Sequence, residues 1–441
     1  MSKSKALFFV LAALAAILLP VCAYLRISTC ATGADPQIFI SLARDILDHR
    51  FAEVAAFVVP GWPLCLAAVI RLFGPFAACW ANVPLFALLV FALWLLLSDL
   101  LASRTRAALA ALFAAIALLA GSGHNPHFLL WSFRQTPIYL PSLLSLLFIR
   151  RATRAAFDSR TRAAFAWLLA SLAAALAATL VRETSALLLP VLFLHLLLDS
   201  GAPASLPPSA PTPPFRRRLP LLLAFCALNL AALLAALAAV FLLRLNVFNS
   251  QNLYILRSLQ PLLRDHLFSA AHMSRSLALV LGEFPGFLAL CLALGVLAAC
   301  VRRRYRPFAP LFLVPALLNF LFEAFHKIHM RFFLTPVFYL APLAALGAVL
   351  LVDALRRLPA LFRRAKTSPA ASLPAPWAFL LLALLAVWGA AVVRAMLPWG
   401  PRVSPAQVRQ CLQAIDAASP VPDAIVLLDP KSRYLREVLH L

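Results

Sequence analysis

The sequence predicts an all-α polytopic membrane protein of about eleven transmembrane helices, and its composition and apolar pattern both support this fold class. Of its 441 residues, 63% are hydrophobic and only 12% are charged, whereas a soluble domain carries about 25% charged residues. Apolar stretches recur at lengths near the roughly 20 residues that cross a bilayer. The net charge of +23 is spread as short clusters between these stretches, so it indicates topology rather than a nucleic-acid surface.

The predicted spans are 6–25, 76–97, 107–120, 137–149, 163–181, 185–198, 220–243, 277–300, 308–325, 332–352 and 377–397. Three of them, 107–120, 137–149 and 185–198, fall below the roughly 17 residues that a perpendicular helix needs. Each must therefore borrow flanking residues, tilt, or be partly re-entrant, and the sequence leaves these three routes open.

The basic clusters predict the orientation of the chain. With the N-terminus inside, the alternate loops place 21 of the 39 basic residues but only 4 of the 16 acids in the cytoplasm, as the positive-inside rule requires. We therefore expect a multi-pass protein of a bacterial inner (plasma) membrane, with a cytoplasmic N-terminus and a periplasmic C-terminus. The run 6–25 is longer than the apolar core of a signal peptide, which favours a retained first span.

Two regions outside the spans have a predicted structure of their own. The chain divides into a transmembrane domain, 1–397, with a first periplasmic loop at 26–75, and a periplasmic tail, 398–441. Within the loop, 60–74 is predicted to be a helix lying at the membrane interface, because a further crossing there would reverse every later basic cluster. The tail pattern predicts a small αβα unit. The eight cysteines have neither disulfide-framework nor zinc-site spacing.

Asp35 has two compatible interpretations. An Asp followed by Pro36 is typical of a helix N-cap with proline at the first helical position, and Ile38, Leu42 and Ile46 continue an amphipathic helix. The second interpretation is a general base at the membrane surface that accepts a proton from an acceptor hydroxyl. A helix start would hold such a carboxylate rigidly.

The order of several short segments resembles a known family. They are an outside acid, Asp35, followed by Leu-Ala-Arg-Asp-Ile-Leu at 42–47, Pro-Gly-Trp-Pro-Leu at 60–64, Leu-Phe-Gly at 72–74, Val-Arg-Glu-Thr-Ser-Ala-Leu at 181–187 and His-Met-Arg-Phe-Phe-Leu-Thr-Pro at 329–336. This order is similar to that of GT-C class membrane glycosyltransferases, in particular the family 39-like group of protein mannosyltransferases and lipid A aminoarabinose transferases. The resemblance covers the layout of about residues 1–350.

That resemblance implies a glycosyltransferase that moves a sugar from a polyprenyl-phosphate donor to a periplasmic lipid, glycan or protein acceptor by inverting displacement. Asp35 would be the catalytic base. The expected partners are the donor lipid, the acceptor and membrane lipids, without nucleic acid.

The sequence also suggests which residues bind the substrates. His326, Lys327, His329 and Arg331 place four potential cations or donors within six residues at the start of a span, which favours a phosphate site together with Arg182. Interfacial snorkelling would also explain the lysine, and an ion pair with Glu183 would also explain Arg182. Candidates for the acceptor or the sugar are His127, Arg134, Glu183 and Arg44.

The residues near Asp35 also suggest a divalent metal such as Mg²⁺ or Mn²⁺, bound by Asp35 with His127 as a second ligand. The second acid that relatives carry near 131–137 is absent, so a catalytically inactive GT-C-like protein is a second hypothesis. A transporter or flippase of lipid-linked sugars is a third hypothesis, and an O-antigen polymerase or ligase is a fourth. A transporter would need ionisable groups along a path through the spans, whereas the charges here concentrate on one side.

Overall fold

The computed structural model of the protein describes residues 34–51, 54–55, 59–74, 77–78, 81–101, 103–120, 129, 134–199, 201, 218–243, 270–284, 286–324 and 330–362. Across these ranges the chain is mostly helical and contains no strand. The predicted spans 6–25 and 377–397 and the αβα tail lie outside the described residues.

The helices are α1 Ala34–Leu47, α2 Gly61–Phe73, α3 Asn82–Leu101, α4 Arg104–Ala120, α5 Gln135–Phe157, α6 Thr161–Val181, α7 Leu188–Leu198, α8 Leu219–Leu243, α9 Ala270–Gly282, α10 Phe287–Val301, α11 Val314–Ala324 and α12 Met330–Phe362. Short 3₁₀ segments cover Glu183–Leu187 and Arg303–Tyr305, and a π-helical turn covers Ala309–Leu313.

Three helices in the described part of the chain are long and apolar enough to cross a membrane: Asn82–Leu101, Thr161–Val181 and Phe333–Ala354. A fourth crossing arises if the bent pair Ala271–Gly282 and Phe287–Val301 is one span. These helices are compatible with a membrane protein.

The three short predicted spans differ in how the structure extends them. The stretch 107–120 belongs to a 17-residue helix, and 137–149 belongs to a 23-residue helix that continues through Phe157. Both helices extend into flanking residues, which is one of the three ways in which a short span can be accommodated in a bilayer. The stretch 185–198 instead begins as a 3₁₀ turn and has only 11 α-helical residues.

The predicted helix over 277–300 is not continuous. It breaks between Gly282 and Phe287, and the two halves meet at 105°. Pro285 lacks the N–H that helix continuation requires, and Gly286 has a φ of +53°, which only glycine adopts easily. The helical periodicity on either side concealed this break.

Close helix packing holds the bundle together. α5 packs along α6, α10 along α12, and α3 against both α4 and α5. At the α10–α12 crossing, a Cβ on Gly295 would collide with the Leu343 carbonyl, and a Cβ on Gly347 would collide with the Cys291 carbonyl. Small residues at a helix crossing are characteristic of membrane bundles, where close backbone approach replaces the hydrophobic driving force.

The segment 60–74 forms the expected helix, α2, which packs against α1. A Cβ on Gly61 would collide with the Leu180 carbonyl at the end of α6. The α1–α2 pair is therefore anchored beside the turn that contains Arg182. Its position at a membrane interface remains a prediction.

Candidate functional site

Several helix ends meet at one end of the bundle, which we call the Glu323 end. α5 and α12 begin there, and α6 and α11 end there. Contacts between α11 and α12, and between α11 and the 3₁₀ turn after α6, join these ends. Under the orientation that the basic clusters predict, this is the periplasmic end.

A buried ion pair links two of these helix ends. Arg182, in extended conformation directly after α6, places its Nη2 atom 2.9 Å from Oε1 of Glu323 near the end of α11. The side chains are 13% and 1% exposed, respectively. The sequence suggested Glu183 as the partner of Arg182; the structure supplies Glu323, which lies 141 residues away.

Tyr139 and Thr335 form a second polar contact at the Glu323 end. The Tyr139 hydroxyl lies 3.5 Å from Oγ1 of Thr335, which joins α5 to the first turns of α12. The tyrosine ring stacks on Phe338, with ring centroids 4.3 Å apart. Its phenol lies within electrostatic reach of both Arg182 and Glu323, so the two polar contacts belong to one cluster.

Oγ of Ser185, in the 3₁₀ turn after Arg182, is buried at this end and makes no hydrogen bond to any described residue. The same holds for Oε1 of Gln135, in the first turn of α5. Buried polar groups are normally satisfied by protein or water, so such exceptions call for a partner.

His272 ties the broken helix pair to the same region. Its Nε2 donates to the carbonyl oxygen of Ala324 at 2.6 Å, next to Glu323. The carbonyls in the last turn of a helix have no intrahelical partner. His272 therefore satisfies one of them and fixes the end of α11 that carries Glu323.

The first outside loop reaches the bundle end through Arg134 and Phe39. The guanidinium carbon of Arg134, just before α5, lies 5.0 Å from the ring centroid of Phe39 in α1. Asp35 lies one turn before Phe39 in the same helix. The predicted helix is present over Ala34–Leu47, and its start stays a prediction, because the residues before Ala34 lie outside the described part of the chain.

The start of α12 contributes position 331 to the same end. The helix over Met330–Phe362 contains Arg331, four residues before Thr335. The residues directly before Met330 lie outside the described part of the chain, so a phosphate site in a first helical turn there stays a prediction.

The remaining predicted residues separate into two groups. His127, His326, Lys327 and His329 lie outside the described residues. Glu183 opens the 3₁₀ turn, and Arg44 is half-buried in the last turn of α1. Within the described ranges, no group of three or more His, Cys, Asp or Glu side chains is arranged to hold a metal, and the suggested metal at Asp35 stays a prediction.

A second buried cluster lies at the opposite end of α5 and α7, which we call the Asp199 end. Arg150 Nη1 donates to Oδ2 of Asp199, and Thr153 Oγ1 donates to the same oxygen at 3.3 Å. His195 Nε2 lies 3.0 Å from Oδ2, and the Gly201 amide donates to Oδ1 at 3.1 Å. The carboxylate is therefore surrounded by donors from its own protein.

Electrostatics at the Asp199 end favour the charged carboxylate. Burial by itself raises the pKa of Asp199, but Arg150 and His195 outweigh it and hold the pKa well below its usual range. Arg218 completes this end by donating to the carbonyls of Leu197 and Asp199 at 2.9 and 2.8 Å. Its cation lies at the C-terminus of α7, where positive charge is favourable.

Sequence reasoning missed the partners in both clusters. Glu323 and Asp199 are acids within or beside apolar helices, and a charge at such a depth is usually paired or functional. That signal identifies the acids. It does not identify Arg182 as the partner of Glu323 or Arg150 as the partner of Asp199, because the paired residues are 141 and 49 positions apart in the chain.

Comparison with known proteins gives no assignment: no protein-family model matches the chain, and no curated protein shows significant similarity to it.

Proposed function

We propose that this protein is an eleven-span GT-C-type glycosyltransferase of a bacterial inner membrane, which transfers a sugar from a polyprenyl phosphate to a periplasmic acceptor. The proposal rests on one observation: several helix ends meet at the Glu323 end. Arg182, Arg134, and the helix starts that contain Asp35 and Arg331 belong to packed elements at that end.

The chemistry requires a base, cations and groups that bind hydroxyls. In the proposed reaction Asp35 accepts the acceptor proton while the acceptor oxygen bonds to the anomeric carbon. The bond from that carbon to the phosphate oxygen breaks, and its electron pair leaves on the polyprenyl phosphate. Arg182 and Arg331 stabilise the phosphate charge. Ser185 and Gln135 offer buried polar atoms to sugar hydroxyls.

The distribution of charge favours this reaction over transport. The two buried arginine–carboxylate pairs lie at opposite ends of the bundle. Between them, α5 and α6 meet through the hydroxyls of Ser145 and Ser171, 3.2 Å apart. A continuous path for a charged headgroup would call for ionisable groups at that depth.

The test is transfer by the purified protein from a panel of polyprenyl-phosphate sugars. We expect transfer of one donor sugar, and we expect Arg331→Ala to raise the donor KM about tenfold or more while kcat changes less, because a lost phosphate contact weakens binding. Arg71→Ala, at the exposed end of α2, is the matched control and should behave as wild type. An unchanged donor KM in Arg331→Ala would contradict the phosphate role, and absence of transfer from every donor would contradict the function.

A further inference from the structure

We propose that Glu323 sets the charge selectivity of the phosphate site by reducing the advantage of a doubly charged phosphomonoester over a singly charged phosphodiester. The inference rests on the proposed function, in which the donor is a phosphodiester and the product a phosphomonoester. Glu323 acts here as a specificity-determining residue through its charge.

The geometry of the ion pair fixes the side from which an anion can approach. Glu323 is 1% exposed and Arg182 is 13% exposed, with 2.9 Å between their nearest nitrogen and oxygen atoms. An anion therefore approaches the pair from the arginine side. The negative charge of Glu323, 2.9 Å from a guanidinium nitrogen, cancels part of the attraction that Arg182 exerts on such an anion.

The cancellation matters more for the product than for the donor. A phosphodiester carries one negative charge, whereas a phosphomonoester carries about 1.5 to 2 at pH 7. Coulomb energy is proportional to charge, so an arginine without its counter-ion would hold the product much more tightly than the donor. With Glu323 in place the pair is neutral overall, and the product can leave.

The neighbours of the pair fit this role. His272 holds the Ala324 carbonyl beside Glu323, and Tyr139 and Thr335 supply neutral hydroxyls from α5 and α12. Arg182 can still donate hydrogen bonds to the phosphate, and the net charge attraction comes from groups beyond the pair, such as Arg134 and the first turn of α12. These groups attract both the phosphodiester and the phosphomonoester, and Glu323 reduces the additional affinity of the doubly charged phosphomonoester.

The experiment measures binding without requiring sugar transfer. Geranyl phosphate and geranyl methyl phosphate are titrated at pH 8 into the purified full chain in detergent, with geraniol as the uncharged probe. In Glu323→Gln the amide oxygen can still accept from Arg182 but has no charge. If the diester gains about threefold in affinity, the monoester should gain about the square of that, roughly tenfold, because its Coulomb energy doubles.

The matched control is Asp353→Asn, which removes one acid from the other end of α12, where Asp353 pairs with Arg106 at 3.1 Å. It should leave both affinities unchanged. Equal gains for the two probes in Glu323→Gln, or no gain with normal thermal stability, would overturn the inference while the proposed function stands.

A double variant covers the case in which Glu323→Gln does not fold. Arg182→Gln combined with Glu323→Gln removes both charges, so no uncompensated charge is left buried. We expect both probes to lose affinity by similar factors, because the hydrogen bonds of Arg182 are lost while the net charge of the pair stays zero. A monoester that gains affinity over the diester in this variant would overturn the inference, because no uncompensated arginine charge is left to cause the gain. If the wild-type protein binds neither phosphate better than geraniol, the proposed function itself fails, and the inference with it.

Discussion

The two ends of the helix bundle each contain a buried arginine–carboxylate pair, and they differ in what surrounds the acid. At the Asp199 end, the carboxylate receives donors from Arg150, Thr153 and the Gly201 amide, and its pair is 1% and 2% exposed. At the Glu323 end, Arg182 keeps 13% of its side-chain surface exposed. Buried polar atoms without a hydrogen bond to a described residue occur at both ends, for example Oγ of Ser185 at the Glu323 end and Nδ1 of His195 at the Asp199 end.

This difference indicates two uses of the same chemistry. A carboxylate saturated by its own protein stabilises helix positions and offers little to a ligand. A pair that remains accessible on its cationic side can bind a polar ligand. Substitutions at the two ends should therefore separate stability from binding.

The largest stability effect is expected for Asp199→Asn. It leaves the charge of Arg150 buried without its acid, and breaking a buried pair in this way costs about 3–5 kcal/mol. The free energy of unfolding, from denaturant titration in detergent, measures the loss. Asp158→Asn is the control, because Asp158 and Arg160 are exposed and 4.0 Å apart. Equal stability of the two variants would contradict the structural role of Asp199.

The same carboxylate predicts a pH dependence. Its pKa is depressed in the folded state, so the stabilisation is complete above the unfolded pKa of about 3.9. It is lost as the pH falls from there toward the folded pKa. Below about pH 4 the wild type should therefore lose stability more steeply than Asp199→Asn, which lacks this carboxylate. The same acid dependence in both proteins would contradict the depressed pKa.

The next effect concerns α12, which connects the two ends. Gly347→Ala should lower the free energy of unfolding by about 1–3 kcal/mol, because overpacking forces the helices apart; the added Cβ would collide with the Cys291 carbonyl. Gly282→Ala is the control, since its Cβ would meet no atom within 4 Å. Stability of Gly347→Ala equal to that of the control would contradict the close crossing.

A charge reversal sharpens the comparison at the Glu323 end. Arg182→Glu combined with Glu323→Arg should recover most of the stability that either single change costs, because an ion pair re-forms. Geranyl phosphate affinity should still fall roughly tenfold, a loss of about 1.4 kcal/mol of binding free energy. The same measurements on each single variant provide the reference. Recovery of binding together with stability would show that the Glu323 end is as structural as the Asp199 end.

The smallest expected effect is that of Tyr139→Phe. It removes the 3.5 Å contact with Thr335 and keeps the ring stacked on Phe338, so the free energy of unfolding should fall by about 1 kcal/mol or less. Tyr139→Leu also removes the stacking and should cost more. A loss of stability in Tyr139→Phe that matches Tyr139→Leu would indicate that the hydroxyl, rather than the ring, holds α5 to α12.

The sequence predicted the helices better than the contacts between them. Runs such as 163–181 gave helices close to their predicted bounds, because a long apolar stretch has few other ways to fold. The break at Gly286 was missed, since apolar periodicity continues on both sides. Glu323 was visible as an acid in an apolar helix, but its pairing with Arg182 depends on packing between segments 141 residues apart.

For the site, the sequence predicted that helices start near Asp35 and Arg331, and both residues are helical in the described part of the chain. It did not predict the buried atoms of Ser185 and Gln135 or the contact between Tyr139 and Thr335. Those features arise only when the ends of α5, α6, α11 and α12 meet.

Asp35→Asn most directly tests the claim that the Glu323 end is a catalytic site. With saturating donor and acceptor, the rate of sugar transfer should fall about 100-fold or more, because a positioned general base contributes roughly 10²–10⁴-fold. Asp48→Asn, a neighbouring acid that is 65% exposed, should keep the wild-type rate. Full activity of a folded Asp35→Asn protein would contradict the claim.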